Sequence, residues 1–566
     1  MRTKGRLMAR TDPPNRNRGE IAAIVIFAWL LSPVPLIAQL RIVDYNTGGE
    51  ARPSLSTVLA AIGAESVNGI AKKPDVFSLQ EQETSATTTQ GIVDVLNGIY
   101  GAGIYARATI DGASSGGGRP GLIYNVQTVQ LGGQMAASTI SASGAARETQ
   151  RYEMRPVGYD EAAKFYVYVS HYKASNTAPD AARRNVEAQE VRANADALGT
   201  AHRIYAGDFN IYTSSEPMYQ TLTAVGPAQA FDPLNRPGAW QDDASFKDLH
   251  TQSPAATSRY AGQVTGGMDD RFDFQLVSAE LLDNEGLSYI GGSYHAFGNT
   301  GTHNLNGDIT TGSATVLQSR LPGYTTAQAA AVLEALASTT DHLPVVADYQ
   351  VPAKMGVQLE IVPGRIIRGA NAGVDVTVTN TASAVVVAGA DELDYAVSVS
   401  GSLTGGTTSS DPALGSGNTH SIALQANMVG ANSGLLEVHS SSQGAANKDF
   451  TQSVTYSVLD HAKPLFVGNG EALTLTLNFE TVDPGTNSNP QSFSIGNWIS
   501  NLGITAGLDL DLSHSPSVLS RISPLAASET SPLSLLRPNP AALLRFMTFC
   551  SLMRIFRVRV ICGPLD

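Results

Sequence analysis

Residues 203–210 read RIYAGDFN. An apolar run stops at Gly207 and gives way to Asp208 and Asn210. The run has the length and composition of a buried β-strand, and the polar pair falls where that strand meets a loop. The same arrangement recurs along the first 350 residues. LRIVDYN ends in Asn46, DVFSLQE in Glu81 and KFYVYVSHY near His171. DDRFDFQLVS opens with Asp269, Asp270, Arg271 and Asp273, and STTDHLPVVADY opens with Asp341 and His342. One polar strand end means nothing. This many, all at strand–loop junctions, point to one site along one edge of a layered sheet scaffold.

Between these strands lie helical stretches near 55–70, 181–198 and 325–338, rich in Ala, Leu, Glu and Gln. Interspersed strands and helices indicate an α/β or α+β layered domain. From 355 to about 461 the pattern changes to short alternating strands separated by Gly, Ser, Asn and Asp, which predicts an Ig-like β-sandwich. We expect a partial β module over 464–511. Residues 512–566 form a tail with six arginines, no lysine and only Glu529 and Asp566 as acids. At the other end, basic residues precede the apolar stretch IAAIVIFAWLLSPVPLIAQ, residues 21–39, which reads as an export signal over 1–38, cut near Ala38. The expected location is therefore secreted, cell-surface or periplasmic, with membrane contact only through the signal or the tail.

The residue types limit the chemistry. Glu81 and Glu83 fall on one face if their strand continues, and such a carboxylate pair requires a counter-charge. Oxygen ligands at Glu81 suit a hard cation, Mg²⁺ with Mn²⁺ or Ca²⁺ as alternatives. The only cysteines are Cys550 and Cys562, so the first 549 residues offer neither thiolate ligands nor a thiol nucleophile. No G-x-S-x-G elbow occurs either. Two histidines beside acidic or amide residues suit acid–base work near neutral pH, with water as attacker on a phosphoester. The formal net charge of −13 argues against a global basic field for nucleic acid, leaving a local cleft open. Arg41, Lys72, Lys73, Lys173, Arg183, Arg184 and Arg271 are the basic candidates for such a cleft, with Arg183 and Arg184 reading first as an exposed helix face.

Taken in order, DVFSLQE, VSHYKAS, GDFN, RFDFQLVS and TDHLPV resemble the successive motifs of the endonuclease/exonuclease/phosphatase superfamily, from about residue 40 to 350. The resemblance implies a four-layered α/β sandwich, two β-sheets flanked by helices, over 39–353, followed here by the all-β sandwich. It implies that Glu81 holds the metal and that Asn46 orients it or shares in the metal site. His171 would contact the scissile phosphate. Asp208 would position or deprotonate the water, and Asn210 would hold the phosphate. Asp273 and Arg271 are expected on the substrate. His342 would touch the phosphate or act as base, with Asp341 supporting the metal. Asp308 is an alternative orienter of a histidine. Thr340 stands where the family has a serine, and Asp269–Asp270 is an additional acidic pair. The long segment 291–338, with His303, is expected to be a lid or specificity loop.

Three functions follow. The first is an exported metal-dependent phosphodiesterase or nuclease, with DNA or RNA as the phosphodiester substrate and no protein partner. The second is a lipid or small-molecule phosphoesterase, sphingomyelinase-like. The third is a non-catalytic surface adhesion protein, against which the full set of polar strand ends argues. The β-sandwich is expected to be dispensable for hydrolysis, because no catalytic motif lies beyond DHLPVVADY.

Overall fold

The structure, a computed structural model, describes residues 39–466 and, beyond them, 474–478, 491–497, 503–508, 532–535 and 557–561. The expected export signal, most of the 512–566 tail and part of 464–511 lie outside the described residues.

The chain opens with β1 (Leu40–Asn46), α1 (Leu55–Ala64), the short β2 (Ser66–Val67) and β3 (Ile70–Ala71), β4 (Val76–Gln82), α2 (Gln90–Tyr100), β5 (Tyr105–Arg107) and β6 (Arg119–Asn125). It continues through β7 (Val129–Ala136), β8 (Gln150–Pro156), β9 (Phe165–His171), α3 (Ala178–Asp196), β10 (His202–Asp208), α4 (Pro217–Thr223) and β11 (Ala230–Phe231). Then come β12 (Asp273–Ser278), β13 (Ser288–Tyr289), β14 (His295–Ala296), α5 (Ala314–Ser319), α6 (Thr326–Thr339) and β15 (Val345–Gln350).

These strands form two sheets. One runs β13-β15-β1-β4-β6-β5, with β14 also on β15; the other runs β11-β12-β10-β9-β8-β7. The period of two along each strand decides which way each side chain faces. Leu40, Ile42, Val76 and Leu122 of the first sheet meet Tyr152, Phe165, Val167, Val169, Ile204 and Val277 of the second in one apolar layer between the sheets. The alternate residues face outward. Val43, Tyr45, Phe77 and Leu79 pack on α1, α2 and α6, while Tyr168, Tyr205, Phe274 and Leu276 pack on α3 and α4. Helices, sheet, sheet, helices: this is the four-layered α/β sandwich that the motif order implies.

Local signals account for the helix starts. Thr325 and Gln328 form a reciprocal capping box at the head of α6. Thr177 caps α3, with proline in its first turn. Segment 291–338, expected as a lid or specificity loop, is irregular over most of its first half and then carries α5 and α6, and Leu317, Ala329, Val332, Leu333 and Leu336 are buried in the core. That apolar spacing is what anchors it. His303 is fully buried there.

Both sheets share one local plan. In the first, β1 runs parallel to β4 and antiparallel to β15; in the second, β10 runs parallel to β9 and antiparallel to β12. The carboxyl ends of β1, β4, β9 and β10 therefore gather at one edge of the double sheet.

Nine strands between Met355 and Leu459 form the β-sandwich, a four-stranded and a five-stranded sheet around Val374, Val376, Val378, Val397, Leu436, Val454 and Val458. It is not loosely tethered. Ala382, Ala390, Ala413 and Ala446 belong to the same apolar cluster as Leu40, Val345 and Val351. The four residues joining the two parts are each pinned. Val351 bridges Ala390, Pro352 accepts from the Tyr159 hydroxyl, Ala353 accepts from the Ala446 amide, and Lys354 bridges Ala446. Past it, Pro464–Phe466, Gln491–Asn497 and Pro532–Leu535 pair as a small sheet.

Candidate active site

Register alone assembles much of the site. Asp208 is the cross-strand neighbour of His171 on one side and of Asp273 on the other, so three side chains stand in a row on the inter-sheet face. His342 joins them from a bend three residues ahead of β15. The neighbours Asp341 and His342 would face opposite ways on a regular strand, and the bend removes that restriction.

Asp208 is the hub. Its Oδ1 accepts from the Asn210 backbone amide at 3.0 Å, Asn210 having the left-handed φ of 52° that such a tight turn needs. Its Oδ2 accepts from Asn46 Nδ2 at 3.2 Å and lies 3.4 Å from His171 Nε2 and 3.6 Å from His342 Nε2. Asn46 comes from the other sheet, and the same Nδ2 also donates to Glu81 Oε1 at 3.2 Å. Asn210 Nδ2 donates to the Tyr172 carbonyl at 3.2 Å. His342 Nδ1 donates to Asp273 Oδ2 at 2.8 Å, and the carboxamide of Gln252 lies 2.8 Å from Nε2.

Glu81 occupies a β-bulge between Leu79 and Gln82, with φ 63°. The bulge ends the two-residue period, so Glu81 turns to Asn46 while Glu83 is left solvent-exposed. No lysine or arginine pairs with Glu81 among the described residues.

The electrostatics follow from burial and crowding. Asp208 is pushed up to about 7 by burial, with Asp273 and Glu81 adding to this and His342 opposing it. Burial alone would depress His342, but the Asp273 and Asp208 carboxylates hold it well above the usual histidine range. Burial pushes His171 well below that range, helped by the Arg147 and His342 charges, so His171 is neutral. Deeper between the sheets, burial and the nearby Asp273 push Asp44 well up.

Several expected roles change. Arg271 does not reach the substrate side: it is buried, forks onto Asp232 at 2.8 and 3.1 Å, and stacks 4.3 Å over the Phe274 ring. Asp273 spends Oδ2 on His342 and orients it rather than binding substrate. Asn46 accepts from the Gly48 amide on its carbonyl oxygen at 3.1 Å and turns its nitrogen to Glu81 and Asp208, the orienting one of its two expected roles. Asp341 makes no ion pair with His342; Thr340 donates to it at 3.3 Å. Asp308 pairs with Arg259 at 3.0 Å and orients no histidine. Of the candidate basic cleft, Arg41, Lys72 and Arg184 are interior, paired with Asp348, Asp75 and Glu216. Arg183 is half-buried on the Gly144 carbonyl.

Gln252 and Arg147 escaped the sequence reading. Gln252 stands in a loop whose composition carries no signal. Arg147 precedes β8, a strand with no polar end of the kind that marks the others.

The chemistry of the donor set fits a hard divalent cation. Asp208, Asp273 and His342 each bring one ligand atom within 4.8 Å of the others. The 2.8 Å bond between His342 and Asp273 is what a cation among those three would break. Glu81 has no cationic partner among the described residues, and Asp208, bonded to the same amide, is raised by crowding even with His342 3.6 Å away.

No family model matches the chain, and no curated protein matches it. Similar solved structures are endonuclease/exonuclease/phosphatase proteins and relatives in fold. The human Nocturnin catalytic domain with bound sulfate is 16% identical, covers 55% of this chain and 93% of its own, and has a TM-score of 0.33. An endonuclease/exonuclease/phosphatase from Bacteroides vulgatus is 13% identical over 56% of this chain and 99% of its own, TM-score 0.33. One from Beutenbergia cavernae is 13% identical over 74% of this chain and all of its own (100%), TM-score 0.32.

Proposed function

We propose that this chain is an exported, metal-dependent phosphoesterase of the endonuclease/exonuclease/phosphatase superfamily, hydrolysing its substrate with water. One observation carries the reading: a single carboxylate oxygen, Asp208 Oδ2, lies within 3.6 Å of His171, His342 and Asn46, with Asp273 behind His342 and Glu81 beyond Asn46. The motifs that supply these residues follow the family's order.

Glu81 and Asp208 would hold the cation, Mg²⁺ in this reading, which when bound neutralises phosphoryl oxygen charge. Asp208, whose Oδ2 lies within 3.6 Å of both histidines, is placed to take the proton of an attacking water. The His342 imidazolium, steered by Asp273, meets the negative charge that builds on the phosphoryl oxygens. Neutral His171 supplies a directional N–H or lone pair beside the same atoms.

The interior fate of Arg41, Lys72, Arg184 and Arg271 removes most of the support for a nucleic-acid groove. It favours a compact phosphoester over a DNA or RNA strand. Export rests on the apolar segment 21–39.

The test is turnover by the full chain, with EDTA and then Mg²⁺, of p-nitrophenyl phosphate, bis-p-nitrophenyl phosphate, sphingomyelin, plasmid DNA and RNA. We expect EDTA to abolish hydrolysis and Mg²⁺ to restore it. E81Q should require at least about tenfold more Mg²⁺ for the same rate and lose the thermal shift that Mg²⁺ gives the wild type. Hydrolysis unaffected by EDTA would overturn the metal, and no turnover of any phosphoester would overturn the function.

A further inference from the structure

Six arginines are buried among the described residues: Arg41, Arg147, Arg184, Arg192, Arg203 and Arg271. Five of them sit in ion pairs, with Asp348, Glu216, Asp196, Glu280 and Asp232 in turn for Arg41, Arg184, Arg192, Arg203 and Arg271. Arg147 alone has no carboxylate within ion-pair distance, although it is only 8% exposed. A buried charge without a partner is costly, so a fold retains one where something else supplies the counter-charge.

Arg147 is also tightly placed. Its main chain bridges Ser114, and on either side the Ser115 amide donates to the Ala146 carbonyl and the Glu148 amide to the Ala113 carbonyl. Its Nε donates to the Gly117 carbonyl at 3.3 Å and its Nη1 to the Tyr172 carbonyl at 3.2 Å. Its Nη2 donates to nothing among the described residues. The Tyr172 carbonyl that holds Nη1 also accepts from Asn210 Nδ2, so the guanidinium borders the cleft, held by two carbonyls, with one edge unused.

The glycine run 116–118 makes this placement possible. A Cβ on Gly117 would lie 2.1 Å from Arg147 Nη2, and one on Gly118 would lie 2.2 Å from the Glu81 carbonyl carbon. Both residues have left-handed φ, 70° and 71°. Consecutive residues of one loop thus lie against the unpaired guanidinium and the main chain of Glu81.

We infer that Arg147 is a substrate-binding residue, its free Nη2 edge receiving a non-bridging oxygen of the substrate's phosphoryl group. The inference rests on the phosphoesterase reading and names the group that grips the anion. A guanidinium fixed by two carbonyls aims its remaining N–H bonds in a way a lysine ammonium cannot.

The probe is inorganic phosphate, titrated calorimetrically into the full-length protein with Mg²⁺ present, for wild type, R147Q, R147K and G117A. We expect R147Q to bind phosphate at least tenfold more weakly and to lose about 10²–10³ in kcat/KM on p-nitrophenyl phosphate. R147K should recover part of the affinity. G117A keeps the charge but displaces it, and should lose phosphate affinity like R147Q, which guards against a folding defect specific to the arginine variant. R147Q or G117A binding phosphate within twofold of wild type would reduce Arg147 to a strap between the Gly117 and Tyr172 carbonyls and overturn the assignment. Because the titration needs no turnover, phosphate binding lost in R147Q by a protein that hydrolyses nothing would uphold this inference and fault the function proposed above.

Discussion

In the β-sandwich, between Met355 and Leu459, every buried side-chain polar atom has a partner; in the α/β half, many do not. Asn380 shows the sandwich's way. Its Nδ2 donates to the Asp391 carbonyl at 2.8 Å, and its Oδ1 accepts from the Lys354 and Ala382 amides at 3.2 and 3.1 Å. Around the Asp208 hub, by contrast, Asp44 Oδ2, Gln80 Oε1, His171 Nδ1, Asp270 Oδ1 and Asp273 Oδ1 are buried without partners. Each such atom costs roughly 1–3 kcal/mol. The sandwich carries no such cost, while the α/β half tolerates several at one edge. Unmet polar groups that cluster where strands end mark a place prepared for ligands from outside the chain. Other buried atoms of the same half are unmet away from the hub, among them Tyr152 Oη, Glu65 Oε1, Asn125 Nδ2, Arg203 Nε and both nitrogens of His303, and nothing in the structure explains them.

Three substitutions would break or sharpen that contrast. H342A should have the largest effect, cutting kcat by about 10²–10⁴-fold, the usual size for losing a group that handles protons or charge in the transition state. Its thermal midpoint should fall as well, because the variant leaves the buried Asp273 and Asp208 carboxylates without their imidazolium partner. Activity within about threefold of wild type would take His342 out of the mechanism.

E187Q comes next. Glu187, fully buried on α3 with Oε2 unmet, is pushed up to about 8 by burial, against the bond from Thr149 and the field of Arg147. Folded protein thus keeps a proton that the unfolded chain releases above its ordinary carboxyl value. Folding binds a proton across that window, and stability falls as pH rises from about 4.5 to about 8. The glutamine variant lacks this slope. Urea denaturation should show it gaining on wild type by on the order of 2–4 kcal/mol between pH 5 and pH 8. A constant difference would mean that Glu187 titrates normally.

N380A should have the smallest effect: a loss of about 1–3 kcal/mol in chemical denaturation, with kcat unchanged within about twofold. A sandwich variant that impaired turnover as strongly as H342A would erase the distinction between the two halves.

What was legible in the sequence follows the same division. Asn46, Glu81, His171, Asp208 and His342 stood out because a buried apolar run has to stop at them, and stopping is a local event. The layered fold was legible for the same reason. Arg271 and Arg147 were not distinguishable. Each precedes or opens a strand, and what separates them is Asp232 for the first and the absence of any acid for the second, both decided by tertiary packing. The role of Asn46 turned on which end of its amide the Gly48 N–H takes, and that of Asp273 on a histidine 69 positions away. Within segment 291–338 the helix read near 325–338 is there as α6, while the short α5 carried too little apolar spacing to be read. Glu81 and Glu83 were paired by a period that a bulge interrupts.

The four pinned residues from Val351 to Lys354 have a mechanical consequence. A flexible leash lets an enzyme sample orientations over whatever its accessory module grips. Here the strand entering the sandwich leaves directly from the sheet that carries Asn46, with no free bond to pivot on. Anything the sandwich gripped would therefore meet the cleft at one fixed bearing and one fixed height, as a bracket holds a tool.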